Sequence, residues 1–156
     1  IVGTGPGNDT KISDEKLKAY KHFANKIWNA SRFVLENPSQ ITGTLGDEDQ
    51  KIMDDFGDFT KDVTSDMESY RFYMAAEKVY HYFWHTFADI IIEKKKKEDD
   101  KRILRMLLEE QLKFLHPFMP FVTEKVWSLL PTLSLRERET ELPDSKNLLM
   151  VEKWPC

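Results

Sequence analysis

The helix-breaking residues of this chain are few, and they cluster. Its six Gly and seven Pro fall mostly near residues 3–7, 38–46, 117–120 and 131–155. The stretches between are nearly free of breakers, which favours long helices. Ser13 or Asp14 is a fitting cap for a first helix running to about Glu36. "ENPSQITGTLG" reads as a loop. A second helix begins near Asp47, with acids in its first turn that suit the helix dipole, and continues to about Glu68, with Gly57 as a weak point. A third spans about 72–96 and ends in a Lys run. A fourth spans about 99–115 and is broken by "HPFMP", and a fifth follows over about 121–130. The chain is then polar and loop-like until "LLMVEKWP", a candidate short strand.

The apolar spacing sets the architecture. At 100° per residue, Tyr20, Phe23, Ile27, Ser31 and Val34 share one side of the first helix. The third helix has a stripe of Phe72, Ala76, Val79, Tyr80, Phe83, Phe87, Ile90 and Ile91. The fourth has Ile103, Leu104, Leu107, Leu108, Leu112 and Leu115. Amphipathic helices joined by short loops predict an all-α fold, an antiparallel bundle of about five helices over residues 13–130. Residues 1–12 read as a Gly-rich connector and 131–156 as a loop-rich C-terminal extension. The start without Met and the abrupt end at "EKWPC" read as cuts from a longer protein.

Composition narrows the function. The single Cys is the last residue, so no internal disulfide and no Cys-based zinc site is expected, which fits a reducing, cytoplasmic setting. No apolar run approaches the roughly 18 residues of a membrane span, and no signal-peptide pattern opens the chain. The net charge of −4 argues mildly against a free-standing nucleic-acid binder, but charge is segregated. Residues 16–32 hold Lys16, Lys18, Lys21, Lys26 and Arg32 and no acid. Residues 47–68 hold nine acids against Lys51 and Lys61. A local basic face is compatible with an acidic total.

The first helix carries the strongest functional signal. Opposite its apolar side lie Lys18, His22, Asn25, Asn29 and Arg32, with Trp28 and Phe33 flanking. Asn offers a donor and an acceptor to a base edge, Arg and Lys bind phosphate, and an aromatic edge stacks a base. Single-stranded RNA is recognised by this mixture. The plainer reading is a solvated face whose Asn side chains cap or bridge to a neighbouring helix. His81 and His85 stand at i, i+4 with Asp89 extending the row, a zinc-compatible spacing without an H-E-x-x-H frame or a third ligand. "GTGPG" lacks the spacing and βαβ context of a phosphate loop and reads as a hinge. "KKKKEDD" reads as a helix end and turn, "HPFMPFVTEKVW" as a kinked, tightly packed junction. No catalytic triad, carboxylate pair or nucleophilic Cys follows from spacing.

"FANKIWNASRFVLEN", "YRFYMAAEKVYHYFWHTFADIIIE" and "LHPFMPFVTEKVW" resemble, in this order, the anticodon-binding helical domain of class I valyl-tRNA synthetases. "TGPGNDTKIS" resembles the segment leading into that bundle from the catalytic domain. The matches span about residues 3–130, and "NKIWNASRF" is the most discriminating. The isoleucyl and leucyl relatives share the fold and versions of "HPF-PF-TE-W". The resemblance implies a fragment of a valine–tRNA ligase whose parent uses ATP and Mg on a Rossmann domain bearing "HIGH" and "KMSKS" type motifs. Neither motif is present, so the fragment alone is expected to need no cofactor and to have no ligase activity. Its implied partners are the anticodon stem-loop of a valine tRNA and its own catalytic domain, with no membrane and a monomeric fragment. The family's N-K-x-W-N-x-x-R pattern falls on Asn25, Lys26, Trp28, Asn29 and Arg32, which turns the stripe toward RNA. Arg32 is then the first choice for a phosphate or base-edge contact, with Asn25 and Asn29 for base edges. Lys26 reaches phosphate only at the edge, and Trp28 either lines the RNA face or wedges against the third helix. The alternatives are a helical docking module, acting through aromatics such as Trp84 or the acidic second helix, and the same domain of an isoleucyl or leucyl enzyme.

Overall fold

The computed structural model describes residues 13–37, 43–130, 148–149 and 152–155. The connector read at 1–12 and most of the extension read at 131–156 lie outside the described residues.

Helix α1 (Asp14–Glu36) starts where its cap allows. The Ser13 hydroxyl accepts from the Lys16 backbone N–H at 3.3 Å and so satisfies a free donor of the first turn. Helix α2 (Asp47–Glu68) opens with Asp47, Glu48 and Asp49 against its positive end. Both match the spans predicted from sequence. The third rod is continuous but not uniform. Helix α3 (Phe72–His81) runs on into a π-helical segment (Tyr82–Ile91) and a last turn, α4 (Ile92–Lys95). Helix α5 (Arg102–Leu115) begins later than the pattern predicted, because the Asp100 carboxylate accepts from the Arg102 N–H at 3.1 Å and holds the preceding residues in a turn. Helix α6 (Pro120–Trp127) has Pro at its first position, where a missing N–H costs nothing.

Successive rods are antiparallel. Asp66 pairs with Lys78 near one end of α2, and Asp49 with Lys95 near the other. Helix α5 returns alongside, with Arg102 bonded to the Gly43 and Thr44 carbonyls and Phe114 against Phe56 and Phe59. Helix α1 lies parallel to the third rod: Phe23 meets Tyr80 and Trp84, Lys26 meets Asp89, and Phe33 lies under Lys96. It also packs on α5 and α6, whereas α2 packs on α3 and α5. The third rod and α5 thus stand between α1 and α2.

The core follows the apolar stripes, with three corrections. All six predicted residues of α5 are buried, as are Phe23, Ile27, Ser31 and Val34 of α1. Tyr20 is 46 % exposed instead of buried, because every residue from 13 to 22 is exposed and α1 overhangs its neighbours by more than two turns. Phe72 is exposed at the start of α3, where it meets Tyr70 edge-on. Ile90 is 61 % exposed while Ala88 and Ile92 are buried. In an ideal α-helix Ile90 would fall within about 20° of Val79. The π segment, with its i→i+5 bonds, holds more residues per turn and rotates Ile90 outward.

No strand forms among the described residues. Those of the candidate strand clamp the bundle instead, since an all-helical core offers no sheet edge. The Leu149 N–H donates to the Glu124 carboxylate at 3.1 and 3.2 Å. Trp154 stands edge-on to Phe114 at 5.0 Å and donates to the Thr64 hydroxyl at 2.9 Å. The "HPFMPF" junction is tight at His116, 2.9 Å from the buried Thr123, but Phe121 is 91 % exposed. The Lys run is not merely solvated. Lys95 is buried between Asp49 and Glu98, and Lys94 and Lys96 pair with Glu48 and Glu93.

Candidate nucleic-acid interface

Helix α1 has a continuous polar ridge. Lys18, His22, Asn25, Asn29 and Arg32 are all exposed, within about 80° of one another on the helix. Among the described residues, the Asn25 and Asn29 amides make no hydrogen bond within the chain and Lys18 has no acidic partner; none of these three caps or bridges to another helix. Arg32 approaches Glu36 at 3.6 Å, with both side chains more than 60 % exposed. Such a pair is weak and leaves the guanidinium accessible.

The two margins of the ridge differ. On one, Trp28 lines a cavity of about 60 Å³ with Leu35 of its own helix and Val126 and Leu129 beyond it. Trp28 is therefore set against α6 and the residues after it, not against the third rod, and remains 37 % exposed. On the other margin, the Lys26 ammonium donates to Asp89 at 2.6 Å and lies 5.6 Å from the centre of the Trp84 ring. Lys26 thus braces α1 on the π segment. Phe33 is half-buried, with the Lys96 ammonium 5.6 Å from its ring.

Trp84 is not the free docking aromatic that the sequence suggested. It stacks on Phe23 at 5.9 Å and leans on Tyr80 at 5.7 Å, half-buried in an aromatic ladder. The His81 and His85 rings lie 5.4 Å apart on the exposed side, with His85 3.6 Å from Asp89. Among the described residues no group of three or more His, Cys, Asp or Glu is placed to hold a metal ion.

Electrostatics gives the molecule two faces. Lys16, Lys18, Lys21, His22 and Arg32 line exposed α1. Across the bundle, α2 exposes Asp47, Glu48, Asp54, Asp55, Asp58, Asp62 and Glu68. Its two buried acids are neutralised locally. Hydrogen bonds from Lys78 and then Arg71, against the opposing effect of burial, hold the Asp66 carboxyl below the usual carboxylate range. Burial works against the Lys95 charge, but hydrogen bonds to Asp49 and Glu98 outweigh it and raise its pKa. The exposed acids of α2 repel a polyanion from that side of the bundle.

Residues 49–156 match the family described as the anticodon-binding domain of tRNA ligase. The chain belongs to that family. Helix α1 precedes the matched range, but individual relatives extend over it. A valine–tRNA ligase from Dehalococcoides mccartyi is 40 % identical over 153 residues, covering 90 % of this chain. One from Thermotoga maritima is 38 % identical over 160 residues, covering 96 %. One from Bacillus thuringiensis is 38 % identical over 147 residues, covering 83 %. The chain spans 17 % of the length of each of these relatives. Among the described residues no helix of this family member is long and apolar enough to cross a membrane.

Proposed function

We propose that this domain grips the anticodon stem-loop of a valine tRNA as part of a valine–tRNA ligase. The observation that carries the reading is the ridge on α1: exposed cations and two unpartnered amides, set across the bundle from an acidic helix. Valine–tRNA ligase relatives along most of the chain support the choice of amino acid. Arg32 would take a phosphate or base edge, Asn25 and Asn29 base edges, and Lys18 and His22 the backbone, while Trp28 and Phe33 would offer stacking edges. Lys26 would act mainly by holding α1 on the π segment. The chemistry of joining valine to tRNA, with its ATP and Mg, would belong to the rest of the ligase, and the domain alone would be a monomer. Alanine substitution at Arg32, measured by anisotropy with the valine anticodon stem-loop, tests the assignment. Unchanged affinity removes Arg32 from the site.

One observation favours a second role for the start of α1. Leu17 and Tyr20 are 55 % and 46 % exposed on the overhanging turns, a surface suited to docking against the ligase's catalytic portion. Hydrogen exchange in the full ligase would then show residues 14–22 more protected than in the isolated domain.

A further inference from the structure

Trp28, Ser31, Arg32 and Leu35 stand at i, i+3, i+4 and i+7, on one stripe of α1. With Val126 and Leu129 they line the cavity of about 60 Å³ at the margin of the ridge. Trp28 and Leu129 stay 37 % and 44 % exposed, so the cavity is open to the surface. Its lining is chemically mixed. Leu35, Val126 and Leu129 give an aliphatic wall, Trp28 a flat ring and Arg32 a cation.

Ser31 is the anomaly. It is 1 % exposed, and its hydroxyl oxygen makes no hydrogen bond. A hydroxyl inside a helix commonly donates to the carbonyl four residues back, as Thr123 does to Met119 at 2.9 Å. Ser31 does not. A buried hydroxyl left unpaired costs stability, and alanine would take the same place without that cost. The hydroxyl therefore calls for a partner from outside the chain.

We propose that this cavity is a slot for the edge of one unpaired nucleobase of the bound RNA loop. The proposal rests on the assignment of the α1 ridge to RNA and names where a base enters. The base lies with one face on Trp28 and its leading edge against the aliphatic wall, where the Ser31 hydroxyl meets a ring nitrogen or an exocyclic oxygen. Arg32 takes the adjoining phosphate, since its pair with Glu36 at 3.6 Å is exposed and weak. Unpaired bases are held by this combination of aromatic face, edge hydrogen bond and cation. A purely aliphatic ligand would leave Ser31 and Arg32 unused, and a bare phosphate would leave Trp28 and the wall unused.

The test is an anisotropy titration of this chain with the valine anticodon stem-loop and with versions in which each loop nucleotide in turn is made abasic. One abasic position should weaken binding about five-fold or more. Leu129→Trp fills the cavity from its exposed side. It should weaken the intact RNA by a similar factor, and the same abasic change should then cost nothing further. Ser31→Ala should weaken the intact RNA about three-fold or more, while the Tm of the free domain stays the same or rises. Circular dichroism confirms that each variant is folded. A serine that only braced the helix would give the reverse, a lower Tm with affinity retained, and that result overturns the proposal. Abasic changes that are all silent, or that cost as much in Leu129→Trp as in the wild type, also overturn it. The ridge assignment then stands if Arg32→Ala still weakens binding. No binding of the intact RNA to the folded wild-type chain overturns both.

Discussion

Asp66 joins the end of α2 to the start of the third rod, and its removal has a predictable cost. Its side chain is 2 % exposed and lies 2.6 Å from Lys78 Nζ and 2.8 Å from Arg71. A hydrogen bond to a charged group contributes roughly 1.5–3 kcal/mol. Removing one member of a fully buried ion pair costs about 3–5 kcal/mol. Here the cations left behind are 30 % and 45 % exposed, and Lys78 keeps Asp62 at 2.6 Å, so water and Asp62 recover part of the loss. Asp66→Ala should therefore destabilise the domain by about 2–3 kcal/mol, a fall in Tm of roughly 10 °C for a domain of this size. Asp62→Ala is the control. Asp62 is 61 % exposed and, among the described residues, pairs with Lys78 alone, so its loss should cost less than about 1 kcal/mol. The pH dependence has a fixed sign. Asp66 has a lowered pKa in the fold, so its contribution is complete above the unfolded value of about 4 and fades as pH falls below it. Thermal unfolding followed by circular dichroism at pH 7 and near pH 3 measures both effects. Equal losses for the two variants, or a gap between Asp66→Ala and wild type that does not shrink in acid, would refute the reasoning.

Leu108 is fully buried in α5, and Leu108→Ala should cost about 2–5 kcal/mol in urea unfolding with an unchanged m-value. Tyr70 adopts φ 58° in the turn before α3 with its side chain 82 % exposed, so Tyr70→Gly should raise stability by up to about 1 kcal/mol in the same assay. Arg32→Ala should weaken stem-loop binding by about 1–3 kcal/mol, measured by anisotropy. Lys26→Ala should instead destabilise the domain by less than about 1 kcal/mol through loss of its Asp89 contact, seen as a lower Tm, with a smaller effect on RNA affinity.

Most of the bundle was legible because the apolar stripes obey the α-helical period and the breakers mark its ends. Ser13 and Asp47 sit where capping and dipole rules place them, and α1 ends at Glu36, two residues before Pro38 in the sequence. The misreadings have physical causes. The wheel failed at Ile90 because the π segment changes the residues per turn, and no side chain announces that in sequence. It failed at Tyr20 because an amphipathic stripe records what a helix buries somewhere, and the first turns of α1 have no neighbour here. The Lys run is the helix end and turn that was expected, but the pairing of Lys95 with Asp49, 46 residues away, is a tertiary fact that its sequence does not carry. In the candidate site, the exposed line from Lys18 to Arg32 was readable from spacing alone. That Lys26 turns inward to Asp89, and that Trp28 faces Leu129, was not.

The central claim is that the α1 ridge reads an anticodon stem-loop. The direct measurement is an anisotropy titration of this chain with valine and isoleucine anticodon stem-loops at low and moderate salt, beside an Asn25→Ala, Asn29→Ala, Arg32→Ala triple variant. The account predicts salt-sensitive binding, tighter for the valine RNA, with both the affinity and the preference reduced in the folded triple variant. Binding that is unchanged in the triple variant, or absent from the folded wild-type domain, would contradict it and leave the ridge as a surface for domain docking.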